Sequence, residues 1–187
     1  MKYLVHLCPP SEVADKVLSY RERISNYITA VSKNVLHCTL MTFPADPKHE
    51  GDIISALEGL QPRSFPVGIK SLDLFDENSV VLRLQSEGLY SLHQKVIDAL
   101  RGFVDRSQTS LPPGYETDPE RVSIYNEYGS PYYAQFYNPH ISVAQVLPPI
   151  PELDQNFFKD VDWKVTELYL SRKEKEWKIV KTFPLEE

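Results

Sequence analysis

Two of the five histidines in this chain begin four-residue segments with the same order of residue types: histidine, apolar, hydroxyl, apolar. The segments read His37-Cys38-Thr39-Leu40 and His140-Ile141-Ser142-Val143, and each lies in an apolar run typical of a buried strand. Because side chains alternate between the two faces of a strand, the first and third residues of each segment share one face. Each segment therefore presents an imidazole and a hydroxyl together, and the chain makes this arrangement twice.

Two imidazoles and two hydroxyls suit acid–base chemistry on a phosphate ester. Opening a phosphodiester requires a base, an acid and donors for the non-bridging oxygens. His37 and His140 suit the two proton-transfer roles because the pKa of imidazole lies near neutrality, while Thr39 and Ser142 can donate hydrogen bonds to the phosphate. The similarity of the two segments leaves open which histidine is the base. The sequence has no metal-ligand motif such as His-Glu-x-x-His, so we expect neither a metal nor a cofactor.

The elements that position these residues are predicted to occur in the same order twice. The first set is a strand at 2–8, a helix at 11–28, the motif strand at 35–43, a short helix at 50–59 and a strand at 66–75. The second set is a strand at 79–85, a helix at 87–104, the motif strand at 139–147, a short helix at 151–159 and strands at 162–171 and 176–183. We therefore expect one domain over residues 1–187, made of duplicated halves at about 1–78 and 79–187.

Such a duplication predicts an α+β architecture with pseudo-twofold symmetry. The symmetry would turn the two motif strands toward each other, so that His37, Thr39, His140 and Ser142 line one central cleft. A third histidine, His6, lies on the first predicted strand between apolar neighbours. Its sequence context leaves open whether it faces the same cleft, and it is not included among the predicted catalytic residues.

The second half differs from the first by an insertion at about 105–137. This segment is polar, contains Pro112-Pro113-Gly114 and carries six tyrosines. Residues 121–125 have the composition of a short strand. Tyr132 and Tyr133 are our candidates for stacking on the base or sugar of a nucleotide, as aromatic residues do in proteins that bind single strands. The alternative is that the tyrosines only pack the insertion onto the body of the protein.

Together these features resemble the two-histidine (2H) phosphoesterases, which include the RNA 2′,3′-cyclic phosphodiesterases, also called 2′-5′ RNA ligases. The resemblance extends over the whole chain in layout and is specific at residues 37–40 and 139–143. It implies a bilobal fold of two related antiparallel-sheet lobes, with the four polar motif residues in the central cleft. It also implies metal-independent chemistry on a cyclic or 2′-5′ phosphodiester. Cys38 stands where many members carry an aliphatic residue, on the face that points into the lobe.

Composition excludes several other classes of protein. The net charge of −6 argues against extended, non-specific binding of nucleic acid, which depends on neutralising many phosphates. No apolar run is as long as a membrane span, and the N-terminal residues lack the pattern of a signal peptide. The two cysteines show no spacing typical of a disulfide framework or a zinc site. We expect a monomeric, cytoplasmic protein whose partner is a nucleotide or an RNA end.

The leading hypothesis is a metal-independent phosphodiesterase that acts on 2′,3′-cyclic phosphate ends of RNA or nucleotides. A hydrolase or ligase of 2′-5′ phosphodiesters in oligonucleotides would use the same four residues. A different class, a nucleotide- or RNA-binding module without turnover, would keep the cleft but would not require two proton-transfer groups.

Overall fold

The computed structural model describes residues 1–31 and 35–187, which form nine strands and four α-helices. The strands are β1 (Lys2–Leu7), β2 (Ile28–Ala30), β3 (Cys38–Pro44), β4 (Phe65–Phe75), β5 (Ser79–Gln85), β6 (His140–Val146), β7 (Asp162–Val165), β8 (Glu167–Lys173) and β9 (Trp177–Pro184). The helices are α1 (Ser11–Arg23), α2 (Glu50–Glu58), α3 (Glu87–Leu100) and α4 (Pro119–Tyr128). No described helix is long and apolar enough to cross a membrane.

The described strands form one antiparallel sheet in which the two motif strands are neighbours. Its order is β7-β4-β5-β6-β3-β1-β8-β9, and the short strand β2 also pairs with β6. The predicted α+β class is therefore confirmed. One residue pair, Cys38 opposite Ile141, joins β3 to β6. Because β5 occupies one edge of β6, strands β2 and β3 share the other edge. The division into two lobes and duplicated halves stays a prediction.

Burial along the motif strands separates a core face from a site face. Cys38, Leu40, Ile141 and Val143 are at most 2% exposed and belong to the main hydrophobic core. Helix α3 packs on β3 and β4, and α1 packs on β6. Full burial of each such aliphatic side chain contributes roughly 1.5–3 kcal/mol. Since alternate residues of a strand point the other way, Thr39 and Ser142 lie on the face opposite this core.

Some sequence-based expectations about local structure were wrong. The helix predicted at 11–28 ends at Arg23, and residues 28–30 form β2 because the edge of β6 offers them hydrogen-bond partners. Residues 121–125, predicted as a strand, lie inside α4. The signal for that helix was present in the sequence: Asp118 caps it by accepting from two backbone N–H groups, and proline follows at the first helical position.

The helix predicted at 151–159 is replaced by turns. Gln155 explains the difference, because its side-chain amide accepts a hydrogen bond from the backbone N–H of Leu72 and donates one to the carbonyl of Leu72. Phe157 and Phe158 pack their rings against Tyr20 of α1. Contacts with β4 and α1, rather than helical hydrogen bonds, therefore hold this segment. The strand predicted at 162–171 is divided at Thr166 into β7 and β8.

Candidate active site

A row of side chains crosses the middle of the sheet on the site face. The register places Tyr169 of β8 opposite His6 of β1, and His6 opposite Thr39 of β3. On the other side, His140 of β6 lies opposite Arg83 of β5. The pair Cys38–Ile141 joins the two parts, since moving one residue along each antiparallel strand brings Thr39 opposite His140.

The same register brings His37, the residue just before β3, opposite Ser142, so the four predicted site residues occupy adjacent positions along β3 and β6. The two histidines lie on one diagonal of this group and the two hydroxyls on the other. His37, Thr39 and His140 are half-buried, and Ser142 is exposed. The arrangement has the composition predicted from the sequence: a proton-transfer group and a hydroxyl donor on each strand, facing the same side.

Both histidine rings are fixed by the same local hydrogen bond. Nδ1 of His37 donates to the carbonyl oxygen of Val35 over 2.9 Å, and Nδ1 of His140 donates to the carbonyl oxygen of Asn138 over 2.8 Å. A carbonyl can only accept, so each Nδ1 carries a hydrogen. In the neutral ring, Nε2 is then the unprotonated nitrogen in both residues. Each histidine can therefore exchange a proton through Nε2 while the backbone holds its orientation.

His140 lies in a less polar environment than an exposed histidine. Its ring is stacked on Phe75, with centroids 5.0 Å apart and planes inclined by 16°. Burial lowers the pKa of His140, and the positive charges of Arg83 and His37 lower it further, although the hydrogen bond to Asn138 acts in the opposite direction. At neutral pH the imidazole of His140 is therefore unprotonated and suited to accept a proton.

Arg83 is a site residue that reasoning from the sequence missed. Its Nε lies 3.3 Å from Oδ2 of Asp73, and its guanidinium lies 5.1 Å from the centroid of the Phe75 ring. Nη1 is buried and has no hydrogen-bond partner among the described residues. The structure thus places a largely covered cation beside His140, at a position that follows only from the pairing of β5 with β6.

His6, which the sequence left unassigned, lies beside His37. The two rings meet edge to face, with centroids 5.4 Å apart. Nε2 of His6 is 2.9 Å from the hydroxyl oxygen of Ser171, and Nδ1 is 3.6 Å from the sulfur of Cys8. Burial, together with the charge of His37, lowers the pKa of His6 to about 3. His6 is therefore neutral near pH 7. Its ring packs against that of His37 without adding a positive charge.

The four motif residues open into neighbouring cavities. Thr39 and His140 line a cavity of about 570 Å³ that extends to the tyrosine-rich insertion. His37 and His6 line a smaller one of about 150 Å³, which includes Trp177. Ser142 lines a third, of about 290 Å³. Thr39 and His140 are thus brought together in one cavity, whereas His37 and Ser142 each line a different one.

The two tyrosines selected from the insertion have different environments. Tyr132 is 44% exposed and lines the cavity of about 570 Å³. Tyr133 lines it too but is buried, and its hydroxyl donates to the carbonyl of Thr42 over 2.6 Å and accepts from the N–H of Thr42 over 2.9 Å. Tyr132 keeps a free ring surface for stacking, while Tyr133 fastens the insertion to β3.

A buried histidine also fixes the insertion. Nδ1 of His93 donates to the carbonyl of Leu40, and Nε2 accepts from the backbone N–H of Ala134. The ring of Tyr137 is stacked on His93 with centroids 3.8 Å apart, and its hydroxyl donates to the carbonyl of Thr39. The insertion therefore borders the site because α3 and β3 hold it there.

The sequence of the chain matches a known protein family. The model of the 2′-5′ RNA ligase superfamily matches residues 9–177, and the chain belongs to this family, whose members are 2H phosphoesterases. Membership supports a phosphoesterase activity for the protein. Comparison with curated protein sequences gave no match.

Solved structures of the same fold cover nearly the whole chain. TT0787 of Thermus thermophilus is 16% identical with a TM-score of 0.73, and the alignment covers 99% of this chain and 98% of that one. E. coli LigT complexed with phosphate is 15% identical with a TM-score of 0.66, covering 100% and 98%. Kluyveromyces marxianus Usb1 is 13% identical with a TM-score of 0.56, covering 98% of each chain. At these identities the similarity shows the fold.

Proposed function

We propose that the protein is a metal-independent phosphodiesterase that opens 2′,3′-cyclic phosphate ends of RNA or nucleotides. The observation that carries the proposal is the matched pair of Nδ1–carbonyl hydrogen bonds, which fixes Nε2 of both His37 and His140 as the exchanging nitrogen. Family membership supports a phosphoesterase, and E. coli LigT has been solved with phosphate and with 3′-AMP. A binding module without turnover would have no need for two imidazoles held in this way.

In the proposed mechanism His140 is the base and His37 is the acid. Nε2 of His140 takes a proton from water as the water oxygen bonds to phosphorus. The bond between phosphorus and the ribose 3′ oxygen breaks, and His37, which enters the step with hydrogens on both ring nitrogens, gives its Nε2 proton to that oxygen, leaving a 2′-phosphate. Thr39 and Ser142 donate to the non-bridging oxygens. The lowered pKa of His140 and the neutral state of His6 beside His37 support this direction.

A second candidate is hydrolysis of a linear 2′-5′ phosphodiester, and one observation favours it. The cavity of about 150 Å³ beside His37 is lined by Val35, Trp177 and Ile179. A cyclic phosphate releases an oxygen that stays attached to the same ribose, whereas a linear diester releases a separate nucleoside that needs space near the acid. This small recess, whose lining also includes Ser171 and Glu176, gives the leaving sugar a place next to His37.

The proposal is tested by incubating the purified protein with 2′,3′-cyclic mononucleotides, cyclic-ended RNA and 2′-5′ oligonucleotides in the presence of EDTA. Phosphorus NMR of the products distinguishes 2′-phosphates from 3′-phosphates. We expect turnover that His37→Ala and His140→Ala each remove, while His49→Ala retains it, because His49 pairs with Asp52 away from the sheet. Turnover by either site variant at the wild-type rate would refute the mechanism.

The proposal also keeps a monomeric, cytoplasmic protein with a nucleotide or RNA end as its partner. Light scattering of the purified chain measures its oligomeric state. Imaging of the tagged full chain in cells measures its location.

A further inference from the structure

The cavity of about 570 Å³ at Thr39 and His140 has an unusual charge distribution for so acidic a protein. Among the described residues that line it, Arg121 is the one arginine, and none is aspartate or glutamate. Cavities of roughly 300–1,000 Å³ hold ligands of drug size, and a nucleotide is a ligand of that size. The cavity therefore combines space for one nucleotide with a cation that the helix α4 contributes to its lining.

Aromatic rings and hydrogen bonds hold the guanidinium of Arg121 in place. Its central carbon lies 4.0 Å from the ring centroid of Phe136 and 4.7 Å from that of Tyr115. Nη1 donates to the carbonyl of Pro131 over 3.0 Å, and Nε lies 3.4 Å from Oδ2 of Asp118. Such stacking fixes the plane of the group before any ligand arrives.

One nitrogen of Arg121 stays available. Nη2 has no partner among the described residues, and it is absent from the buried atoms that lack one, so it remains open to the cavity or solvent. The side chain as a whole is 22% exposed. A role limited to fastening the insertion would use Nε, Nη1 and the ring contacts alone. The free N–H groups of Nη2 are suited to an oxyanion.

We propose that Arg121 binds the 5′-phosphate of the nucleotide whose reacting phosphate lies at Thr39 and His140. This inference rests on the proposed function and narrows its substrate class: the site takes the end of an oligonucleotide, which carries an upstream phosphate, in preference to a mononucleoside cyclic phosphate. Tyr132 lines the same cavity with an exposed ring, on which the base can stack. Arginine suits this position because its planar fork matches phosphate geometry.

Binding of two non-reacting ligands tests the subsite directly. Isothermal titration measures the affinities of adenosine 3′-monophosphate and adenosine 3′,5′-bisphosphate, which differ only in the 5′-phosphate. We expect the wild type to prefer the bisphosphate by about tenfold to a hundredfold, as is typical of a hydrogen bond to a charged group. In Arg121→Gln the preference should disappear while affinity for the monophosphate changes less than about twofold. Arg101→Gln is the matched control, since Arg101 pairs with Glu127 on the surface.

Equal affinity of the wild type for the two ligands, or a preference that survives in Arg121→Gln, would overturn the proposal. Equal loss of both ligands in Arg121→Gln and Arg121→Lys, with a lower melting temperature, would assign Arg121 a purely structural role and would also overturn it. The binding test of Arg121 can succeed or fail independently of the activity test of the proposed function. A bisphosphate preference that depends on Arg121, without hydrolysis of any cyclic or 2′-5′ substrate, would support the subsite while refuting the phosphodiesterase.

Discussion

Arg83 lies directly opposite His140 on the neighbouring strand, and its positive charge acts on the proposed general base. Burial of His140 lowers its pKa first, and the charge of Arg83 adds to that effect. A base with a lowered pKa stays unprotonated to lower pH, so the rate should fall only in more acidic solution. Arg83 thus contributes, after burial, to the lower pH limit of the proposed reaction.

We expect Arg83→Gln to raise the pKa of His140, because the variant removes a cation and leaves burial unchanged. The acidic limb of the profile of kcat/KM against pH should then move to higher pH. Proton NMR titration of the His140 ring measures the same change without turnover. Arg83→Lys keeps the charge and serves as the control. An unchanged His140 titration in Arg83→Gln would show that burial alone lowers the pKa.

The two histidines should be needed together. His37→Ala and His140→Ala are each expected to lower kcat by about 10²–10⁴-fold, the usual contribution of a general acid or base. The double variant should be little worse than either single one, because the two residues act as a unit. Thermal unfolding should be nearly unchanged, since neither ring belongs to the main core. Multiplicative losses in the double variant would contradict a concerted role.

The hydroxyls should matter less than the imidazoles. Thr39→Ala and Ser142→Ala are expected to lower kcat by about 10–10³-fold, because each removes one donor to the phosphate and no proton carrier. Thr39→Ser keeps a hydroxyl and should restore most of the activity. Single-turnover rates measured with saturating substrate separate this effect from binding. A loss as large for Thr39→Ala as for His140→Ala would assign Thr39 a different role.

Tyr132 and Tyr133 should respond differently to substitution. Tyr132→Ala removes an exposed ring and should raise KM more than it lowers kcat, with little change in stability. Tyr133→Phe leaves the backbone N–H and carbonyl of Thr42 without their partner, and should cost about 1–3 kcal/mol of unfolding free energy. Kinetics and urea denaturation measure the two effects. An unchanged KM in Tyr132→Ala would favour packing as the role of both tyrosines.

His93 should make stability depend on pH. Burial lowers its pKa to about 4 in the folded protein, compared with 6.5 for the unperturbed group. The unfolded chain therefore binds the extra proton first, so stability is complete above about pH 6.5 and decreases as the pH falls toward 4. The added proton would face the N–H of Ala134, which Nε2 accepts in the neutral form. Melting temperatures of the wild type should fall more steeply across this range than those of His93→Gln.

The sequence by itself determined the two motif segments, the alternation that pairs a histidine with a hydroxyl, and most elements near them. It predicted β5 with the observed bounds and α2 to within one residue, since apolar periodicity and turn residues act over short distances. It misjudged residues 121–125, although the Asp118 cap and Pro119 were visible nearby, and it misjudged residues 151–159, where the contact of Gln155 with Leu72 on a distant strand decides the local conformation.

Only the tertiary structure decided which residues meet the motifs. The register of β3 with β6 rests on Cys38 and Ile141, more than a hundred positions apart in the chain. That register, with the pairing of β1 and β5 on either side, brings His6 beside His37 and Arg83 beside His140. The local sequence around His6 or Arg83 does not specify these neighbours. Strand order is fixed by burying the faces of all the strands and helices at once, and no single segment contains that information.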